Sequence, residues 1–272
     1  MMGAHFPLNL CLICLKSPRL IGFLKLANDS SQAQSAACPL CAGWRFEELF
    51  VKRGETFVRC LECTLMMINP QPELAATSAT YDEHYSEAYI RKAGKKLKRC
   101  AAWTKRLQRR FKADGRWLDV GCSAGFVVKA AQDLGFDAHG VEVEPAAVRW
   151  GQDTLNLANL RCGYLHEQHY ASEHFNVISL YDVIEHVPDL NNLVREIYRI
   201  LAPDGIIEIR TPDVGHWRTP RDLSNWKEVK PSEHLYYFNA KTLVKLFAAH
   251  RFQLAYRRPM LKTALDMYFK KA

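Results

Sequence analysis

The 272-residue sequence has no apolar run long enough to span a membrane. Its N-terminal apolar stretch, Phe6 to Leu15, is short and lacks both a preceding basic region and a small-residue cleavage site. An export signal is therefore not expected, and the chain reads as cytoplasmic. Acidic residues are almost missing between Ile90 and Trp117, where Asp114 stands alone among twelve Lys and Arg. That segment accounts for the formal net charge of +8 and leaves the remainder net negative. Basicity is thus one stripe, and its default reading is a solvated helix face. Aromatic residues inside the stripe are few (Trp103, Phe111), which excludes a platform for stacking single-stranded bases. Internal repeats are also lacking. With 48% hydrophobic and 11% aromatic residues, the chain does have the material for a real core.

A secreted disulfide framework is missing too, although there are nine cysteines. Six of them fall in C-x-x-C pairs: Cys11/Cys14, Cys38/Cys41 and Cys60/Cys63. Such pairs suit metal chelation in a reducing compartment. Cys38, Cys41, Cys60 and Cys63 form two knuckles, and four thiolates complete a closed tetrahedral zinc site of structural type. Cys11 and Cys14 have no second pair and are read as unused.

The order of elements indicates an α/β chain: a Rossmann-like, mostly parallel sheet flanked by helices, with a small N-terminal zinc ribbon. Residues 1–33 are expected to be a disordered extension, 34–75 the zinc-ribbon-like module and 76–115 a basic helical connector. Residues 116–258 are expected to form the Rossmann-like domain and 259–272 a C-terminal helix. Strands are expected at Trp117–Val120, Ala138–Val143, Leu160–Cys162, Val177–Leu180, Ile206–Thr211 and Phe252–Tyr256. Asp189 and Asn239 are placed as helix caps, and Pro145 in a first helical turn.

The chemistry concentrates in Leu118-Asp119-Val120-Gly121-Cys122-Ser123-Ala124-Gly125-Phe126. A strand delivers an acid, then a glycine-bearing turn, then a helix N-terminus. Glycines let a ligand approach the backbone, and an acid at the strand's carboxyl end suits a cationic group. Ser123 and Phe126 stand where a dinucleotide fingerprint needs its second and third glycines, which argues against NAD. Glu142, closing the next strand, suits ribose hydroxyls. Together with Tyr181-Asp182-Val183-Ile184-Glu185-His186-Val187 and the stretch from Pro231 to Phe238, these residues resemble the class I methyltransferases, specifically a bacterial type with a four-cysteine module. The resemblance implies S-adenosyl-L-methionine contacts at Asp119, Gly121, Ser123, Gly125, Glu142 and Asp182.

The sequence departs from that family in three ways. Ser123 replaces the usual middle glycine. No clear acid follows the third strand for adenine, with Glu167 and Tyr164 only nearby. No seventh strand is legible, since the tail Leu261–Phe269 reads as an amphipathic helix. For a hydroxyl acceptor the candidate bases are His234 and His186, with Glu233 assisting. His234 is favoured on the expectation of an ordinary imidazole pKa. The bland alternative for both is loop packing, and for Trp217 and Trp226 it is anchoring a long loop rather than forming a lid. The function read from the sequence is methyl transfer, to oxygen or carbon, on a small molecule or saccharide. The acceptor can be anionic, docking on the basic stripe, which also allows contact with a membrane surface. The competing reading is a nucleic-acid-binding protein using the cysteine module and the stripe, with a non-catalytic adenosylmethionine-type domain; nucleic acid is the less favoured partner.

Overall fold

The computed structural model describes residues 35–72 and 93–272. The expected disordered extension and the Cys11/Cys14 pair lie outside the described residues. Two sheets organise the rest. The smaller contains β1 (Phe46–Lys52), β2 (Glu55–Cys60) and β3 (Met66–Ile68), all antiparallel. The β1–β2 hairpin turns on Arg53 and Gly54, both at positive φ, the conformation a two-residue hairpin loop demands.

The larger sheet follows a helix, α1 (Ala93–Phe111). It is built from β4 (Arg116–Val120), β5 (Asp137–Glu142), β6 (Leu160–Cys162), β7 (Phe175–Tyr181) and β8 (Leu201–Pro212). Between them run α2 (Phe126–Gln132), α3 (Pro145–Leu155) and α4 (Leu190–Ile200). Then come β9 (Tyr236–Tyr237), α5 (Ala240–Ala249), β10 (Phe252–Arg257) and β11 (Ala264–Lys271). The spatial order is β10-β11-β8-β7-β4-β5-β6. Asp189 and Asn239 accept hydrogen bonds from Asn192 N and Thr242 N, and Pro145 opens α3, so the caps lie where the sequence placed them. The turn Pro203-Asp204-Gly205 sits within β8 as an irregularity, the pairing with β7 jumping from Leu201 to Ile206.

The sheet's two faces bury alternate residues of each strand. Leu118, Val120, Ile178, Leu180, Ile207 and Ile209 pack with Leu193, Ile197, Leu243 and Phe247 of α4 and α5. Trp117, Val177 and Ile206 pack on the opposite side with Leu107, Val127, Ala130 and Val148 of α1, α2 and α3. Of the basic stripe, α1 buries Cys100, Thr104 and Leu107 and leaves Lys95, Lys98, Arg99, Lys105, Arg109 and Arg110 exposed, as a solvated face should.

Two sequence expectations need correction. The tail is no helix: Ala264–Lys271 forms a seventh strand, inserted antiparallel between β8 and β10. Leu265, Met267 and Phe269 fill one core while Tyr268 fills the other. A strand buried on both faces reads as a near-continuous apolar run, which sequence periodicity confuses with a helix. The large sheet therefore reaches beyond 258. The cysteine-bearing segment, in turn, is not self-contained. β9, drawn from the loop after β8, pairs with β3 and completes the small sheet. Cys38, Cys60 and Cys63 share one core cluster with the large sheet's strands.

β11 also places Asp266 in a buried ionic cluster. Its Oδ2 lies 3.1 Å from Arg210 and 3.2 Å from Arg258, with Arg106 of α1 at 3.5 Å. Glu208 neutralises Arg210 and Arg106 from the other side (3.0 and 3.2 Å) and accepts from the hydroxyls of Tyr181 and Tyr268. Removing one member of a buried set leaves the others uncompensated. Asp266→Ala is therefore expected to cost roughly 3 kcal/mol, lowering Tm by on the order of 8 °C in a calorimetric scan. A shift under about 2 °C would mean that the cluster's charges are solvated.

Candidate active site

The chain reverses direction across the sheet after β4. β5 and β6 are added on one side of it, and β7 and β8 on the other. A crevice opens beyond the carboxyl ends of strands at such a switch point. The acid-and-glycine turn lies there. Gly121 (φ 68°) and Gly125 (φ 78°) adopt left-handed conformations. A Cβ on Gly121 would collide with Val183, and one on Gly125 with Leu157. Both positions therefore require glycine, on steric as well as conformational grounds. Ser123 shares the left-handed region (φ 47°), and its N–H donates to Glu142 Oε2 at 2.8 Å. Glu144 N donates to the other oxygen of Glu142 at 3.0 Å. The carboxylate that closes β5 is thus held against the turn after β4.

Asp119 is 3% exposed and accepts from Ser179 Oγ at 2.6 Å, while Ser179 accepts from Trp117 Nε1 at 2.9 Å. Burial, and then the negative charges of Glu142 and Glu208, push its carboxyl up to about 8. The Ser179 hydroxyl only partly opposes this. A buried acid facing other acids fits a cationic ligand group such as an ammonium. Asp182, exposed just after β7, also sits at left-handed φ (56°), and its N–H donates to Arg210 O. The structure thus brings Asp119, Gly121, Ser123, Gly125, Glu142 and Asp182 to one edge of the sheet. Ser179, which orients Asp119, carries no sequence signal of its own, being one polar residue in an apolar strand. Glu167 is occupied locally, accepting from Tyr164 N at 2.7 Å, and Tyr164 is exposed.

The residues named as bases lie together, but not as expected. His186 and His234 pack edge to face with centroids 4.6 Å apart, and His234 is 2% exposed. Burial above all pulls His186 down to about 4 and His234 to about 3, with Lys230 adding to both. The expectation of an ordinary imidazole pKa therefore fails; both rings are neutral at pH 7 and poor proton acceptors. The Glu233 carboxylate points away to Lys230 at 3.6 Å, while its backbone carbonyl accepts from His186 Nδ1 at 2.7 Å. Beside them Glu185, 1% exposed, accepts from Thr211 Oγ1 at 3.0 Å. The loop between β8 and β9 is pinned down by Trp226, buried among Phe57, Met66 and Tyr237, whereas Trp217 is 73% exposed.

The four cysteine sulfurs lie within 4.8 Å of one another, Cys38–Cys63 at 3.4 Å and Cys41–Cys60 at 3.5 Å. A zinc ion at about 2.3 Å from four thiolates holds its sulfurs roughly 3.8 Å apart, so the cluster fits one. The knuckles match. Ala42 and Thr64, each following a second cysteine, have left-handed φ, and Cys38 and Cys60 each receive backbone hydrogen bonds from two and three residues on. Burial raises the Cys60 thiol, but the amides of Cys63 and Glu62 more than offset that and lower it; burial pushes Cys63 up to about 11.

A family model for the methyltransferase domain matches residues 87–256. The chain belongs to this methyltransferase-domain family. Among curated relatives, the ubiquinone biosynthesis O-methyltransferase of Azorhizobium caulinodans is 30% identical over 100 residues, 35% of this chain and 40% of that protein. The chain thus spans two fifths of that relative's length. The same enzyme of Rhodopseudomonas palustris strain TIE-1 is 26% identical over 148 residues, covering 47% of this chain and 58% of the relative. Among solved structures, an S-adenosylmethionine-dependent methyltransferase from Clostridium acetobutylicum superposes with a TM-score of 0.54 at 9% identity. A TehB-like methyltransferase from Corynebacterium glutamicum does so with 0.51 at 17%. Both alignments cover 70% of this chain and 100% of the other. The fold of this methyltransferase-domain protein is the Rossmann-like fold of S-adenosylmethionine-dependent methyltransferases. Among the described residues no helix is long and apolar enough to cross a membrane.

Asp119 keeps its proton to about pH 8 in the folded chain, whereas the unfolded chain loses it near pH 4. Its contribution to stability is therefore full below pH 4 and lost as pH rises through 8. Asp119→Asn removes that loss. In ligand-free urea titrations at pH 5 and pH 8, the variant's stability relative to wild type should rise with pH by about 1 kcal/mol or more. A difference independent of pH would show that Asp119 is ionised throughout.

Proposed function

We propose that the protein is an S-adenosylmethionine-dependent methyltransferase acting on a hydroxyl of a small-molecule acceptor. The observation that carries this reading is the buried Asp119 beside the glycine turn, with Glu142 tied to that turn, at the switch point of a methyltransferase fold. Asp119 would meet the ammonium of the methionine moiety and Glu142 the ribose hydroxyls. Gly121, Ser123 and Gly125 would admit the cofactor to the backbone, and Asp182 would flank it. Bound there, the cofactor supplies an electrophilic methyl group on a sulfonium. The residues of this chain orient it and exclude water, since in-line displacement depends chiefly on positioning. Oxygen as acceptor atom is favoured by the kind of relative that the chain resembles; a saccharide remains within the same reading. Isothermal titration with S-adenosylmethionine should give clear binding to wild type and at least tenfold weaker binding to a folded Glu142→Ala variant. Equal affinity in both would remove Glu142 from the ribose role.

The same reading gives the four cysteines a structural zinc, whose task is to hold the loop before β9. Lys52 Nζ donates to the carbonyls of Ser224 and Val229, and Glu55 accepts from Ser232 N and Oγ, so the small sheet grips that loop. Cys60→Ser is expected to lower the zinc content found by metal analysis and to cut methyl transfer well over tenfold. Cofactor affinity, set on the other sheet, should change less than threefold. Full zinc content in the Cys60→Ser protein would sink the assignment.

A further inference from the structure

We propose that Glu185, His186 and His234 form a second metal site, a two-histidine, one-carboxylate set for a divalent first-row transition ion such as zinc. One candidate ligand atom from each residue lies within 4.8 Å of the other two. Bonds of about 2 Å from zinc to nitrogen and oxygen put ligands roughly 3–3.5 Å apart, so closure needs inward shifts of only about 1 Å.

Three features mark this as a built site rather than a chance cluster. Glu185 is 1% and His234 2% exposed, yet Glu185 Oε1 and His234 Nδ1 have no hydrogen-bond partner among the described residues. Orphaned buried acceptors are costly, and here two of them belong to one constellation. Each imidazole has its tautomer set by a backbone carbonyl. His186 Nδ1 donates to Glu233 O at 2.7 Å, which puts its lone pair on Nε2. His234 bonds to the backbone of Glu228, and its Nδ1 is the unpartnered nitrogen. Hydrogen-bonded second nitrogens of this kind orient metal-ligating histidines. Glu185 is oriented in the same way, its Oε2 accepting from Thr211 Oγ1 at 3.0 Å. The set is an imidazole–carboxylate one and differs from the all-thiolate cluster, so the two sites prefer different ions.

The site follows β7 and lies beside the end of β8, where an acceptor would approach. Its catalytic consequence rests on the methyltransferase reading, although the binding itself does not. Three protein ligands leave a position for an acceptor oxygen. An ion there lowers the hydroxyl's pKa, so its proton passes to water without a histidine base. The oxygen's electron pair then forms the bond to methyl as the carbon–sulfur bond breaks and its pair returns to sulfur.

The test uses the full chain with its thiolate site filled with zinc, titrated calorimetrically with further Zn²⁺ and, separately, with Co²⁺ followed by absorption. The expected result is one additional ion per chain, with cobalt bands free of thiolate charge transfer. Glu185→Gln should weaken that binding at least tenfold while zinc at the cysteines is unchanged. Thr211→Val, which removes no ligand, should weaken it by about tenfold, in the range for residues that orient ligands. S-Adenosylmethionine titration of the same proteins keeps the two ideas apart. Cofactor binding without a second ion overturns the metal site alone, and a second ion without cofactor binding overturns only the methyltransferase reading. Wild type taking up no further ion at micromolar Zn²⁺, or both variants matching wild type, would refute the proposal and leave a neutral, water-bridged cluster.

Discussion

The arrangement hangs on a few backbone hydrogen bonds at residues 235–237. Leu235 N and Tyr236 N both donate to the carbonyl of Glu185, at the end of the central sheet. On its other side the same segment pairs with β3, Ile68 N donating to Leu235 O and Met66 lying opposite Tyr237. The segment thus ties the loop after β7 to the small sheet. It fixes His234 beside His186 and Glu185, which its own loop could not do. A loop more than twenty residues long whose only regular structure is a 3-10 turn at Leu223–Asn225 has too much conformational freedom to set side chains to a fraction of an ångström. Anchoring by the small sheet removes that freedom before any ligand arrives.

This gives the cysteine cluster a role that its sequence spacing does not reveal. A small sheet of three short strands has little core of its own and needs a staple. Four thiolates in reach of one ion would provide it, and the small sheet in turn holds the loop before β9 through Lys52, Glu55 and the buried Trp226. The turn after β4 is different in kind. There the geometry comes from the switch point of the parallel sheet and from two glycines that cannot carry a Cβ. The two halves of the crevice are therefore held by independent devices, and damage to one need not reach the other.

Much of the geometry around the turn after β4 was legible in the sequence because its constraints are local. An acid two residues before the first glycine of a Gly-bearing turn, a cap at Asp189 and a proline opening α3 each act within one or two turns of chain. What could not be read depends on distant partners. β11 looked helical because Leu265, Met267 and Phe269 alternate with Tyr268 in a strand buried on both faces, and because Asp266 finds its cations only across the sheet. β9 is two residues long, too short to carry a period. The histidines expected to act as bases do lie together, but their titration was misjudged. An imidazole pKa is set by burial and neighbouring charge, neither of which a motif displays.

The same buried environment that disqualifies the histidines as bases suits them to another use. A general base must cycle between protonation states near the working pH, which requires water or a stabilising carboxylate at the ring. A metal ligand must hold a lone pair permanently, which burial and a carbonyl on the opposite nitrogen secure. His186 and His234 have the second environment. Glu185 supplies no proton relay to either ring, since its hydrogen-bonded oxygen is committed to Thr211 and the other is unpartnered among the described residues. Under the methyltransferase reading the chemistry is a displacement at carbon, and activating the acceptor is the one step that positioning alone cannot perform for a weakly acidic hydroxyl. A cation in this cluster would supply that step by lowering the acceptor's pKa, with no change in the protonation of either imidazole.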